Sequence, residues 1–420
     1  MTLNRVVITG MGAIASIGSS PEEIYTHALE QHSGVVSIAS FAAQLNLQAV
    51  AKTQLAAGVV APVQFDIAAQ FSRSELSLLD RVAQLGVYAA RQAVMQSGLN
   101  VTPELLDEAS VYWGSSMGGA NSLEAGYIDL FLEGKGRVRP FSIMTTMNNS
   151  TAAHIALQYG MHGSVLTYSS ACASSAQAIG EAYRAIRLGV TERAVVGGSE
   201  AMLTTGVLKS WEALRTLAVA DPSDCSRSCK PFSANRSGLV VGEAGAALVL
   251  ESLASAQARG AVILAELAGY GSSNDATHMT KPDMAGQVRA IHQALSCAGL
   301  NAADIGYINA HGTATAAGDQ VESAAIRAAF GAHADQLAVS STKAVHGHTL
   351  GAAGALEAII TIQALCERQL PPTAHLEQPD PDCNLDYLPT GARSAPQLRA
   401  ALSSSFAFGG ANAVLVFRSF

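Results

Sequence analysis

Strand-like apolar runs alternate along this chain with Ala-rich stretches whose apolar residues recur at helical spacing, a pattern that predicts an α/β fold. "RVVIT" and "ASVYWGSS" read as strands, and "SLLDRVAQLGVYAARQAVMQSG" reads as a helix that stops at Gly98. "ERAVVGGSE" and "GLVVGEAGAALVLES" are again strands, the second bent by its glycines. After about residue 255 the alternation restarts with "VILAELAGYG", a helix over "AGQVRAIHQALSCAG", and strands in "IGYINAHG", "LAVSST" and "AVLVF". The two halves, 1–254 and 255–420, share a rough order of strand, special residue and small-residue helix, as an old duplication would leave. No low-complexity linker separates them, so they are expected to pack as one body.

Composition narrows this picture. Of 420 residues, 49% are apolar and only 14% charged, which calls for a large core, an oligomer, or both. A formal charge of −8 offers no basic face for nucleic acid. No run approaches the roughly 18 consecutive apolar residues of a membrane span. "MTLNRVVITG" enters an apolar run at once and lacks the regions of a signal peptide. The cysteines at 172, 225, 229, 297, 366 and 383 follow no disulfide framework, so a reducing cytoplasmic location is expected. Cys225 and Cys229 have no second Cys or His pair at ligand spacing, and no metal is expected.

"VVITGMGAIA" places Gly10, Gly12 and Ala15 loosely in a dinucleotide-binding pattern. That chemistry needs a helix to open at once so that its N-terminus faces the pyrophosphate. The next helix start is "SSPEE", with Ser20 as cap, Pro21 at the first position and Glu22 and Glu23 in the first turn. The glycines are therefore expected to form a tight turn.

Cys172 is the residue on which the chemistry turns. Ile179, Ala182, Tyr183 and Ile186 form a helical stripe downstream, and "SVLTYS" is strand-like upstream. The thiol should lie at a strand-to-helix junction, where the helix dipole lowers a thiol pKa and favours the thiolate. A small buried cysteine is the plain alternative. Two further segments weigh against it: "INAHGTATAAGD" places His311, and "SSTKAVHGHTLGAAGALEAI" places Lys343, His346 and His348, each past a strand and before a helix. A cysteine with two such histidines supplies a nucleophile and two groups that handle protons or bind an oxyanion.

Cys172 in "SSACASS", His311 in "NAHGTAT", His348 in "KAVHGHTLGAAGALEA" and the late "SSFAFGGANAVLVF" together resemble the elongating beta-ketoacyl-[acyl-carrier-protein] synthases, over nearly the whole chain and in the right order. The resemblance implies the thiolase fold, two related α/β halves in a five-layered αβαβα arrangement. It implies a decarboxylative condensation: an acyl chain passes to Cys172, a malonyl thioester loses CO2, and the resulting carbanion attacks the acyl group. His311 and His348 would stabilise the enolate as neutral imidazoles donating from Nε2. The N–H groups of Cys172 and Phe408 would form an oxyanion hole, with Phe408 also a gate. Lys343 would pair with Glu357 behind the site. Thr313 and Thr315 would bind the pantetheine arm, and Met117, Trp211, Thr280 and Gly409 would complete the substrate contacts. No cofactor is implied beyond the phosphopantetheine of an acyl carrier protein. The implied partners are that carrier protein and a second subunit, either another copy or a ketosynthase-like homologue, with neither nucleic acid nor membrane.

Other readings fit less well. A thiolase needs a second catalytic cysteine in a glycine-rich setting, which Cys383 in "PDCNLDY" lacks. A non-catalytic, chain-length-determining partner subunit replaces the nucleophile, and Cys172 is kept. A hydrolase needs an acid behind its histidine in a different order. Departures from the resemblance concern the substrate: Met117 where Ile is usual, Trp211 where Phe is usual, His346 where Thr is usual, and Ser142, Met144 and Met147 in the segment expected to reach the partner. In "FSRSELSLLD" Arg73 remains, while Ser74, Ser77 and Leu78 stand where carrier-gripping cations are expected. Arg73, Arg137, Arg139 and Arg215 are the remaining docking candidates. These departures suggest a specialised relative that elongates a polyene or polyketide-like chain rather than the housekeeping fatty-acid enzyme.

Overall fold

The computed structural model describes residues 3–41, 55–56, 58–102 and 104–420. Its main sheet has ten strands. The N-terminal half contributes β1 (Val6–Ala15), β2 (Ser110–Gly114), β3 (Val165–Tyr168), β4 (Arg193–Glu200) and β5 (Ala244–Ser252). The C-terminal half contributes β6 (Ala265–Asn274), β7 (Tyr307–Asn309), β8 (Ala338–Ser340), β9 (Ala400–Phe406) and β10 (Ala411–Arg418). The spatial order is β8-β7-β9-β10-β6-β1-β5-β4-β2-β3.

Each half therefore has the same topology. The first strand of each half lies innermost and pairs antiparallel with the last, the last pairs antiparallel with the fourth, and the remaining pairings are parallel. The innermost strands join the halves through Val6–Ile8 against Ala265–Leu267. The split at 254/255 falls inside a short helix, Leu253–Ala258, because Ser252 ends β5 and caps that helix by accepting from Ser255 N–H.

The helices fall into three layers. Near the N-terminus, α1 (Pro21–Leu29) starts where its cap signals place it, the Ser20 hydroxyl accepting from Glu23 N–H. On the outer face of the N-terminal sheet lies α2 (Arg81–Ser97), capped by Asp80 and ended by left-handed Gly98. Between the two halves of the sheet lie α3 (Ser174–Arg187) and α7 (Ala353–Glu367), which touch strands of both halves. On the C-terminal outer face α5 (Met284–Ala298) packs with α6 (Ala316–Phe330), while α4 (Thr205–Ala213) stands beside the site described below. Three large apolar clusters fill the spaces between these layers, which gives the five-layered αβαβα thiolase fold. Segment Leu350–Glu367 has the length and mean hydropathy, 1.4, of a membrane span, but 89% of it is buried, as in a core helix.

Gly10 and Gly12 correct the expectation of a tight turn. Both lie inside β1, with a bulge between Ile8 and Gly10. A Cβ at Gly10 would sit 2.1 Å from the Ala93 carbonyl oxygen, and one at Gly12 2.0 Å from that of Ala89. These glycines let α2 press onto the strand.

Candidate active site

Cys172 sits between β3 and α3 in a single turn, Ala171–Ala173. Ser174 fixes that turn: its hydroxyl accepts from Ser170 N–H at 2.9 Å and donates to the Ala171 carbonyl at 2.7 Å. Ala171 is held at φ +49°, a strained conformation for a residue with a Cβ, next to the thiol it presents.

The two histidines come from the C-terminal half. β7 delivers His311, and the His311 and Gly312 N–H groups each donate to Glu322 of α6 at 2.7 Å. His348 is pinned at both backbone groups, donating to Val240 O at 2.7 Å and accepting from Gly242 N–H at 2.9 Å. Its Nε2 lies 3.0 Å from Cys172 Sγ, and its Nδ1 accepts from Leu350 N–H at 3.3 Å. The other ring nitrogen therefore carries the proton and faces the sulfur. The His311 ring stands edge-on to that of His348, centroids 5.2 Å apart. His311 Nδ1 has no hydrogen-bond partner among the described residues.

Burial governs the charge states. It pushes both histidines well below the ordinary imidazole value, and the Lys343 charge adds to the effect, so both rings are neutral near pH 7. His346 is likewise lowered to about 3 by burial and by Lys343. Cys172 corrects the expectation of a resting thiolate. Burial pushes its thiol up to about 12, and the Lys343 charge offsets only part of this. The helix end is outweighed because Cys172 as a residue is only 6% exposed, so its thiol loses most of its hydration. Lys343 pairs with Glu357 of α7, both side chains wholly buried. Burial raises the Glu357 carboxyl to about 7 against that ammonium.

The Cys172, His311 and His348 donor atoms lie within 4.8 Å of one another. That spacing admits a cation, but a protonated thiol and the nearby Lys343 charge disfavour one. Two neutral imidazoles able to donate to an anionic oxygen, beside a nucleophilic sulfur, are the chemistry the arrangement offers.

A cavity of about 390 Å³ opens onto these three side chains. Thr280, Thr313 and Thr315 line it, the last two with hydroxyls 3.0 Å apart. Trp211 of α4 and Phe408 border it as a stacked pair. Gly409 does not line it but supplies the left-handed step, φ +82°, that turns the chain after Phe408. Arg215 is the one docking candidate that lines this cavity. Arg73 and Arg137 are exposed elsewhere, and Arg139 borders a second cavity with Leu76 and Phe141. Met117 is 49% exposed and also lies away from the cavity of this chain.

Sequence reasoning passed over two buried carboxylates. Glu322 orients the His311 loop, and Glu200, at the end of β4, ties the Ser115–Met117 turn to Gly351. "GDQVES", with an acid nearly two turns into the helix after a candidate histidine, was the available signal for the first. Nothing in "VVGGSE" marks the second as more than a strand end.

Family models for the beta-ketoacyl synthase N-terminal and C-terminal domains match residues 3–256 and 264–377. The chain is 41% identical to nodulation protein E of Rhizobium leguminosarum bv. trifolii, over 99% of both chains. It is 37% identical to 3-oxoacyl-[acyl-carrier-protein] synthase 2 of Staphylococcus aureus (strain COL), over 99% of this chain and 98% of the relative. Among solved structures, the ishigamide ketosynthase/chain length factor superposes with a TM-score of 0.90 at 32% identity, over 100% of both chains.

Proposed function

The chain belongs to the beta-ketoacyl synthase family, and from that premise we propose how its residues carry out the family's reaction. The enzyme is an acyltransferase that condenses an acyl chain with malonyl-[acyl-carrier protein] to give a β-ketoacyl product and CO2. The observation that carries the residue assignment is the approach of His348 Nε2 to Cys172 Sγ, both of which line the cavity.

In the first half-reaction the Cys172 sulfur attacks the acyl thioester carbonyl. The N–H groups of Cys172 and Phe408 receive the oxyanion, and the pantetheine thiol leaves with the proton that Cys172 gives up. Because the resting thiol is neutral, the thiolate forms as the thioester arrives, stabilised by His348 Nε2–H and the Lys343 charge. In the second half-reaction the malonyl carboxylate leaves as CO2 and its electron pair passes to the thioester enolate. His311 and His348 donate to the enolate oxygen. The enolate carbon attacks the acyl carbonyl, the C–S bond to Cys172 breaks, and the sulfur takes up a proton. Thr313, Thr315 and Thr280 hold the pantetheine arm, and Phe408 moves to admit the malonyl unit.

An acyl carrier protein brings both substrates. The second subunit is another copy or a ketosynthase-like homologue, and β3 supports such pairing: it is the edge strand of the sheet, with Val165 39% and Leu166 45% exposed. Met117, Met144 and Met147 are exposed apolar side chains in the preceding segments, so the acyl pocket expected at Met117 would be completed by that subunit. The two halves act as Cys-bearing and His-bearing units in a cytoplasmic enzyme. Retention of Cys172 and both histidines disfavours a non-catalytic chain-length subunit. Incubation with acyl- and malonyl-carrier proteins should release CO2 and β-ketoacyl-carrier protein, and Cys172→Ala should form no condensed product. Condensation by that variant would remove the assignment.

A further inference from the structure

Glu200 is wholly buried, and its carboxylate meets hydrogen-bond donors only. Ser116 N–H lies at 2.8 Å, Ser116 Oγ at 2.5 Å, Gly351 N–H at 3.1 Å and Ser115 Oγ at 3.4 Å. It makes no ion pair among the described residues. A carboxylate buried without a cation is costly, and an apolar side chain of similar size would fill the space at less expense. Its donors all belong to two turns, one carrying Met117 and one following His348.

The second turn is strained. Leu350 has φ +50°, a left-handed conformation that leucine keeps only where its surroundings over-determine it. Gly351 approaches Glu200 so closely that a Cβ there would sit 2.4 Å from Oε2. In this conformation Leu350 N–H reaches His348 Nδ1 at 3.3 Å, while Nε2 faces Cys172 Sγ at 3.0 Å. A neutral imidazole holds one proton, and the nitrogen that accepts a hydrogen bond is not the one that bears it.

We propose that Glu200 is the positioning residue for His348: by holding Gly351 N–H it keeps Leu350 left-handed, which sets the imidazole proton on Nε2 toward Cys172. The same carboxylate holds Ser116, so the loop bearing Met117 is keyed to the histidine turn. The inference rests on the role of His348 given above, and the test separates the two.

Nitrogen-15 NMR of protein labelled at histidine reads the tautomer directly. With eleven histidines in the chain, the His348 signals are identified by their loss in His348→Ala. The wild-type ring should be protonated at Nε2. Ser116 N–H, Ser116 Oγ and Gly351 N–H all bond one oxygen, Oε2, which a Gln amide oxygen could replace. The variant to use is therefore Glu200→Leu, which removes both acceptors, and part of its His348 population should shift to Nδ1–H. Malonyl decarboxylation should fall, by less than the roughly 10²–10³ that loss of the donor itself would cost, because part of the population keeps the Nε2–H tautomer. KM for malonyl-carrier protein should change little, while acyl loading of Cys172, where the same Nε2–H stabilises the thiolate, should slow less than decarboxylation does. Glu200→Asp, the variant to use if Glu200→Leu does not fold, shortens the reach by one methylene and should shift both readouts less, in the same direction. A wild-type tautomer and a wild-type decarboxylation rate in either folded variant overturns the proposal, as does an Nδ1-protonated wild type. If His348→Ala decarboxylates normally, it is the role of His348 that fails, whatever Glu200 does to the tautomer.

Discussion

Trp211 lies stacked on Phe408, ring centroids 6.0 Å apart and planes 29° from parallel, at the edge of the cavity that holds Cys172. In the proposed reaction this indole would restrict both the space beside the acyl group and the path of the Phe408 ring as a gate. Trp211→Ala should lengthen or relax the preference for acyl chains, measured as the range of acyl-carrier proteins that load and extend. An unchanged product profile would show that the indole limits neither.

The two histidines should matter for decarboxylation more than for loading. Each replacement by Ala removes one donor to the enolate oxygen and should slow CO2 release by on the order of 10²–10³. Acyl transfer to Cys172 should survive better in both variants, followed by intact mass in the absence of malonyl substrate. Condensation at the wild-type rate by either variant would contradict the role.

The buried thiol has a pH signature. Below its value of about 12 the thiolate fraction grows with pH. Alkylation of Cys172 by a small haloacetamide should therefore keep rising, by roughly tenfold per pH unit, past the value of about 8.5 at which an ordinary thiol levels off. A plateau near neutral pH would mean that the thiolate is already formed in the resting enzyme.

Arg215 lines the cavity and carries no ion pair among the described residues. Arg215→Glu should slow loading from acyl-carrier protein and leave loading from a small acyl thioester unchanged, because only the acidic carrier meets the reversed charge. Arg137→Glu, away from this cavity, should have a smaller effect. With Ser74, Ser77 and Leu78 beside Arg73, loading should also fall gently with salt. Equal slowing of both substrates by Arg215→Glu would assign that residue to the cavity itself rather than to docking.

The sequence made the alternation of elements legible because each signal was local. Ser20, Pro21 and Glu23 start α1, Gly98 stops α2, and the stripe from Ile179 to Ile186 is the buried face of α3. Contacts between distant elements were not legible in the same way. Gly10 and Gly12 look like turn residues until the carbonyls of α2 are seen against them. The helix end near Cys172 suggested a low thiol pKa, but desolvation depends on the layers that close over the sulfur. Glu200 reads as a strand end, and its meaning arises only where it meets Ser116 and Gly351 across the fold. Met117 and three of the four docking arginines lie outside the cavity of a single chain, so a motif alone cannot place them against a substrate.

The account stands on Cys172 as the residue that carries the acyl chain. Incubation with an acyl-carrier protein, without malonyl substrate, followed by intact mass and peptide mapping tests this most directly. The wild type should gain one acyl group, mapped to the peptide containing Cys172, and Cys172→Ala should gain none. A label on Cys225 or Cys297, or an acylated Cys172→Ala protein, would contradict it.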